Sequence, residues 1–285
     1  MIYNAQSIKN RIKKMCNGDN KKSYLFLRIF FMENFIKRIS FSKYKDNIVI
    51  KGGILVTQEL GISSRVTKDI DATIKNYNLT IEDVELLIME LVNMSIDDGI
   101  NYYVESIDRI MDEHDYPGIR VSMIGTLGET KQSFKIDFST GDIITPSEIE
   151  YRFNCSFDDR PIVIKAYNVE TLLAEKIETI LDRNITNTRM RDFYDIHMFF
   201  SLKKDRIDFM KLKAALKATS KNRNTIQIID NAKEYIDLIA NDEYLKLHWN
   251  NYKNDNGYVG NVEYGDTILS LIELLKEVGV LRWYW

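Results

Sequence analysis

Apolar residues along this chain recur first at helical spacing, then in alternation, then at helical spacing again. Ile8, Ile12 and Met15 mark one helical stripe, and residues 23–39 are dense enough in Leu, Ile and Phe for a second helix. The apolar run Asn47-Ile48-Val49-Ile50 reads as a strand ended by a Gly52-Gly53 turn, and residues 54–59 open a helix. Residues 66–74 form the next strand. Thr80, with Asp83 three residues on, approximates a capping box for a helix over 84–93. Beyond residue 100 the period shortens to two, predicting strands at 101–107, 119–124, 133–138 and 162–165. Asn168 then stands as an N-cap before the stripe Val169, Leu172, Leu173, Ile177, Ile180 and Leu181. Further helices are expected at 191–200, 208–219, 225–240 and 266–278. The pattern predicts an α+β chain: a basic helical region over 1–45, a mixed α/β core over 46–166 and a helical domain over 167–285.

Composition narrows this picture by exclusion. The 285 residues are 45% hydrophobic and 28% charged, the profile of a folded chain with a substantial core. No apolar run reaches the roughly 18 residues of a membrane span. The nearest, over 24–39, is broken by Arg28, Glu33, Lys37 and Arg38, so no membrane partner is expected. The N-terminal residues lack the apolar core and cleavage site of a secretory signal. Cys16 and Cys155 lie far apart without metal-ligand spacing, which suits a reduced cytoplasm. With His114, His197 and His248 the only histidines, a histidine-based metal site or triad is not expected.

The net charge of −3 conceals two basic stretches. Residues 1–45 carry eleven Lys or Arg against Asp19 and Glu33, and residues 203–223 carry eight against Asp205 and Asp208. Such stretches are solvated helix faces in most proteins, and they also suit a polyanion such as RNA. The aromatic clusters, among them Tyr102-Tyr103 and Trp283-Tyr284-Trp285, read as core or interface packing more than as base-stacking platforms.

The candidate chemistry lies between residues 51 and 137. Asp69-Ile70-Asp71 in a strand turns Ile70 to the core and both carboxylates to the opposite face. In Phe134-Lys135-Ile136-Asp137-Phe138 a third acid sits among apolar residues, where burial without a partner would cost several kcal/mol. A metal or a positive side chain would resolve that cost. Gly52-Gly53, a tight turn beside a helix start, lets backbone N–H groups approach a phosphate. No G-K-[ST] follows, which excludes a Walker A loop, and no third glycine completes a dinucleotide fingerprint.

Four segments in order resemble the AbiEii toxin family of type IV abortive-infection systems, within the polymerase-beta-like nucleotidyltransferase superfamily and related to the MenT toxins. They are Lys51-Gly52-Gly53 with Leu55, Arg65-Val66-Thr67-Lys68-Asp69-Ile70-Asp71, the run NVETLLAEKIETILDR over residues 168–183, and Arg189-Met190-Arg191-Asp192-Phe193-Tyr194-Asp195-Ile196. The resemblance implies Mg²⁺ on Asp69, Asp71 and Asp137, the last also a possible base. It implies nucleotide contacts from Lys51, Gly52, Gly53, Arg65, Thr67, Lys176 and Arg183. Catalytic roles extend to Lys176, as a point charge on the triphosphate, and to Asp192, with Asp195 read as structural.

The function expected from these residues is Mg²⁺-dependent transfer of NMP from an NTP to a hydroxyl. RNA, with a tRNA 3′ end, is the expected acceptor, and a separate antitoxin holds the toxin in check during phage defence. Two alternatives remain open at this stage. One is transfer to a protein or small-molecule hydroxyl, and the other is a non-catalytic GTP- or ATP-binding module.

Overall fold

The computed structural model describes residues 2–75, 79–110 and 118–281. Trp283-Tyr284-Trp285 and His114 lie outside the described residues. The chain forms two compact units: Met1–Gly141 with Ile149–Ala166, and Asp142–Glu148 with Tyr167–Trp285.

In the first unit α1 (Ala5–Met15) and α2 (Asn20–Phe41) precede β1 (Ile48–Lys51), α3 (Gly52–Leu60), β2 (Asp69–Ile74) and α4 (Ile81–Val92). There follow β3 (Ile100–Ile110), β4 (Gly118–Leu127), β5 (Thr130–Ser139), β6 (Ile149–Phe153) and β7 (Ile162–Ala166). The strands form one mixed sheet in the order β3-β4-β5-β2-β1-β7-β6, with β2/β5 and β1/β7 parallel and the other pairs antiparallel. Alternation decides which face is covered. Ile70 and Ala72 of β2 and Phe134, Ile136 and Phe138 of β5 are buried. On that face Phe35 of α2 meets Phe134 and Tyr102, and the Tyr102 hydroxyl donates to the Phe31 carbonyl at 2.7 Å. The residues between them, Asp69, Asp71, Lys135 and Asp137, project to the other face.

α2 buries charged side chains as well as apolar surface, and its buried cations have acidic partners. Lys37 Nζ lies 2.7 Å from Asp158, and Arg38 donates to the Ile100 carbonyl at 2.7 Å and pairs with Asp98. Arg11 donates to the carbonyls of Ser156 and Phe157. Part of the basic excess of residues 1–45 is therefore spent inside the unit rather than displayed.

The second unit contains α5 (Val169–Arg183), α6 (Met190–Lys203), α7 (Phe209–Asn222), α8 (Ile226–Asp230), α9 (Ala232–Asn241), α10 (Glu243–Asp255) and α11 (Tyr264–Glu277). Asn168 caps α5 by accepting from Thr171 N–H at 2.7 Å, while its amide donates to the Thr145 and Ser147 carbonyls. Asp208 caps α7 in the same way. Trp249 and Tyr264 anchor the core, each donating to a backbone carbonyl.

Four local features depart from the sequence expectation. Strand β6 goes unread because it is an edge strand with one buried residue, Phe153, and shows no alternation. The helix expected over 225–240 is two helices, α8 and α9, joined at Asn231. α10 is polar around most of its surface and buries only Leu245 and Trp249, so its stripe is too sparse to stand out. Gly52 and Gly53 form the first turn of α3 instead of a turn before it.

Candidate active site

The three acids singled out in the sequence come together on the face of the sheet opposite α2. Asp71 of β2 is the register partner of Asp137 on parallel strand β5, and Asp69 lies one pleat away on the same face. Lys51, the last residue of β1, is the antiparallel partner of Asp71. Two neighbouring strands thus hold the carboxylates without any loop, so backbone hydrogen bonding fixes their spacing.

The glycine pair closes one end of this face. Gly52 has φ +64°, a conformation that side chains rarely adopt, and a Cβ there would stand 2.1 Å from Asp71 Oδ2. Gly53 N–H donates to the same oxygen at 3.2 Å. A Cβ at Gly53 would meet Thr67 Oγ1 at 2.5 Å and come within 3.7 Å of Arg65 Nη2. The Thr67 hydroxyl also donates to the Asp69 carbonyl at 3.4 Å, and Arg65 donates to the Val66 carbonyl; both side chains are buried. Lys51, Gly52, Gly53, Arg65, Thr67 and Asp71 therefore form one neighbourhood around the start of α3, where backbone N–H groups favour an anion.

Arg120 is the residue that sequence reasoning missed. Its Nε donates to Asp137 Oδ1 at 2.8 Å and its Nη2 to Oδ2 at 2.7 Å, a bidentate fork. The hydrogen bond to Asp137 raises the guanidinium pKa against the opposing effect of burial, and the charges of Asp137, Asp69 and Asp71 raise it further. Its place follows from register. Leu127 pairs with Thr130 across the turn Gly128-Glu129, and the ladder then runs unbroken to Arg120 opposite Asp137. Reading that two-residue turn in the sequence would have found the pair.

The donor set is all carboxylate oxygen, which suits a hard ion such as Mg²⁺. Among the described residues, no three of His, Cys, Asp and Glu stand close enough to hold a metal by themselves. Both oxygens of Asp137 are engaged by Arg120, and Asp71 Oδ2 is engaged by Gly53. The residues fit an ion held through Asp69 and Asp71 with substrate oxygens completing its shell, the usual arrangement for Mg²⁺, and not a closed protein cage.

The other candidate residues belong to the second unit. Lys176 Nζ lies 2.6 Å from Asp192 Oδ1 and 2.8 Å from Asp195 Oδ2, and Arg189 Nε donates to Asp192 Oδ2 at 2.6 Å. Asp192 and Asp195 are fully buried and Lys176 nearly so. Burial opposes ionisation of Asp192, but Lys176 and Arg189 outweigh it and hold the carboxyl below its ordinary range. Asp195 is thus joined to Lys176 as directly as Asp192 is. Arg183 is exposed in the last turn of α5.

Other features lie apart from the acids. A cavity of about 700 Å³ in the first unit is lined by residues including Lys37, Phe41, Lys45, Arg160 and Lys165, and none of the three acids borders it. Cys16 and Cys155 are buried free thiols, and His197 Nδ1 bonds to Ser270 Oγ at 2.8 Å. Among the described residues no helix is long and apolar enough to cross a membrane.

Comparison with known proteins identifies the family. A family model described as nucleotidyl transferase AbiEii toxin, type IV TA system, matches residues 34–266. No curated protein matches the chain significantly. Among similar solved structures is JHP933 from Helicobacter pylori, 17% identical over 91% of this chain and 92% of that one, with a TM-score of 0.47. Another is an antigenic nucleotidyltransferase-like protein from Paracoccidioides brasiliensis, 18% identical over 64% and 82%, with a TM-score of 0.35. The matched family consists of nucleotidyltransferase enzymes, which use NTPs, and a type IV system pairs the toxin with an antitoxin. The family match covers most of the length, including every residue of the acid face, and the chain belongs to the AbiEii nucleotidyltransferase toxin family.

Proposed function

We propose that the chain transfers NMP from an NTP to a hydroxyl of RNA, with release of pyrophosphate, and that a tRNA 3′ end is its acceptor. The observation that carries this reading is the placing of Asp69, Asp71 and Asp137 on one sheet face beside the glycine-opened start of α3. Asp69 and Asp71 would hold Mg²⁺ together with triphosphate oxygens. The ion, when bound, polarises the α-phosphate and offsets charge on the leaving pyrophosphate. The start of α3 at Gly52 and Gly53, kept clear of side chains, with Lys51, Arg65 and Thr67 around it, would bind and orient the phosphates, while the Gly53 N–H holds Asp71. Asp137 is the third acid of the set, a further ligand for the ion or the base for the attacking hydroxyl, and it would serve in either role with oxygens that Arg120 holds in this structure.

Lys176, Asp192 and Arg183 remain in the proposal as charged residues of the second unit required for transfer. The basic stretches 1–45 and 203–223 support an RNA acceptor, since those of their cations that stay exposed can contact phosphates. The family's type IV toxin–antitoxin setting supports a restraining antitoxin, and the role proposed for the toxin is phage defence.

Expression in a bacterial host tests the reading, wild type beside Asp69→Ala/Asp71→Ala, with labelled nucleotides followed onto extracted RNA. Growth arrest and RNA labelling that both vanish in the folded double variant support it. Arrest without RNA labelling moves the acceptor to a protein or small molecule. Equal behaviour of the two chains removes the carboxylates from the mechanism.

A further inference from the structure

Arg120 occupies Asp137, the third acid of the face and the one that could add a protein ligand to an ion held by Asp69 and Asp71. We infer that Arg120 is a positioning residue that stands in for a cation at Asp137, releases it only when a nucleoside triphosphate arrives, and so makes divalent-metal binding depend on nucleotide. This inference rests on the reading of Asp69, Asp71 and Asp137 as the metal-binding acids.

Three observations carry it. The fork takes both oxygens of Asp137, at 2.8 and 2.7 Å, so a metal ion and the guanidinium compete for the same carboxylate. Strand register holds Arg120 opposite Asp137, and its positive charge also acts on Asp69 and Asp71, so it opposes cation binding across the whole face. The Arg120 side chain keeps 35% of its accessible surface against 20% for Asp137, so solvent and a soluble anion can reach the guanidinium.

The chemistry of the guanidinium supplies the switch. Its planar donors match a phosphate as well as a carboxylate, so a triphosphate offers an equivalent bidentate partner. The same triphosphate brings negative charge that attracts the ion. Without nucleotide, loading a metal at Asp137 means breaking two charge-assisted hydrogen bonds and leaving a cation beside a cation. With nucleotide, the guanidinium exchanges one anion for another. Metal and nucleotide are then coupled, and each strengthens the other's binding.

The test is Mn²⁺ binding to the full chain without nucleotide, read from the electron paramagnetic resonance signal of free Mn²⁺. Wild type, Arg120→Gln, Arg120→Lys and Arg120→Gln/Asp137→Asn are compared, with thermal melting as a check on folding. Arg120→Gln is expected to bind Mn²⁺ at least about tenfold tighter than wild type, roughly 1.4 kcal/mol. Arg120→Lys, which keeps the charge and loses the fork, falls between the two. Adding Asp137→Asn abolishes the gain. Equal or weaker Mn²⁺ binding by both single variants overturns the inference. If wild type still labels an acceptor in an Asp69- and Asp71-dependent way, that result removes the clamp and leaves the transferase reading standing. If wild type labels nothing as well, both fall.

Discussion

Gly52 and Asp71 meet so closely that any side chain at position 52 would displace the carboxylate: a Cβ there would lie 2.1 Å from Asp71 Oδ2. The glycine is therefore needed twice, for its φ of +64° and for the space it leaves. Gly52→Ala is expected to lose about 1–2 kcal/mol of stability from the backbone alone. Transfer activity should fall at least about tenfold because Asp71 moves, since misplacement of about 1 Å can cost a hundredfold. Urea unfolding and a nucleotide-labelling assay on the same preparation separate the two effects.

Gly53 and Thr67 make a second such pair, and here the space can be exchanged. The Thr67 hydroxyl lies 2.5 Å from where a Cβ at Gly53 would stand. Gly53→Ser alone should disrupt nucleotide binding by pushing Thr67 aside. Thr67→Ala alone should weaken it, with Thr67→Ser close to wild type. The double variant Gly53→Ser/Thr67→Ala should bind nucleotide better than Gly53→Ser, because one hydroxyl again fills one space. A double-mutant cycle on nucleotide affinity measures this coupling, and simple additivity of the two losses contradicts it.

The carboxylates and the glycines were legible in the sequence because local rules govern them. Alternation around Ile70 and Ile136 fixes the faces of Asp69, Asp71 and Asp137 within a few residues of each acid. Arg120 is different. In Gly118-Ile119-Arg120-Val121 it looks like any outward residue of an alternating strand, and only the ladder running from the Gly128-Glu129 turn reveals its partner. The cluster around Lys176 was half legible. The i,i+3 spacing of Asp192 and Asp195 can be read directly, but their burial depends on how α5 and α6 pack. The same holds for strand β6 and helix α10, whose positions come from neighbours and not from their own apolar pattern.

Lys176 neutralises two fully buried acids, and the structure makes its removal costly. Lys176→Met removes the Nζ contacts to Asp195 at 2.8 Å and to Asp192 at 2.6 Å, while the Arg189 contact to Asp192 stays. Loss of one partner from a buried pair typically costs about 3–5 kcal/mol. Urea unfolding should show a loss of that size. Asp192→Asn and Asp195→Asn added to Lys176→Met should recover part of it without restoring transfer. A Lys176→Met variant as stable as wild type would contradict this role.

Glu33 gives the first unit a pH dependence of defined sign. It is buried in α2 and accepts from Ser156 N–H at 2.8 Å, Ser156 Oγ at 2.7 Å and Gln58 Nε2 at 3.4 Å. Burial outweighs these bonds and pushes the carboxyl up to about 8 from 4.5. A group with a raised folded pKa contributes stability that is complete below the unfolded value and is lost as pH rises through the folded one. Stability should therefore decline between pH 4.5 and about 8, at up to about 1.4 kcal/mol per pH unit from this group. Glu33→Gln should flatten that part of the profile, as followed by denaturant melts across pH. An unchanged slope would place the dependence on another group.

The most direct measurement incubates the purified full chain with α-labelled NTPs, Mg²⁺ and total bacterial RNA, wild type beside Asp69→Ala/Asp71→Ala. Both chains are first shown to be folded by thermal melting. If the acid face transfers NMP, wild type yields labelled, RNase-sensitive product, and the double variant yields at least about a hundredfold less, the scale set by loss of a key electrostatic stabiliser of the transition state. No labelled product from wild type under any of the four NTPs, or equal labelling by the two folded chains, would contradict the account.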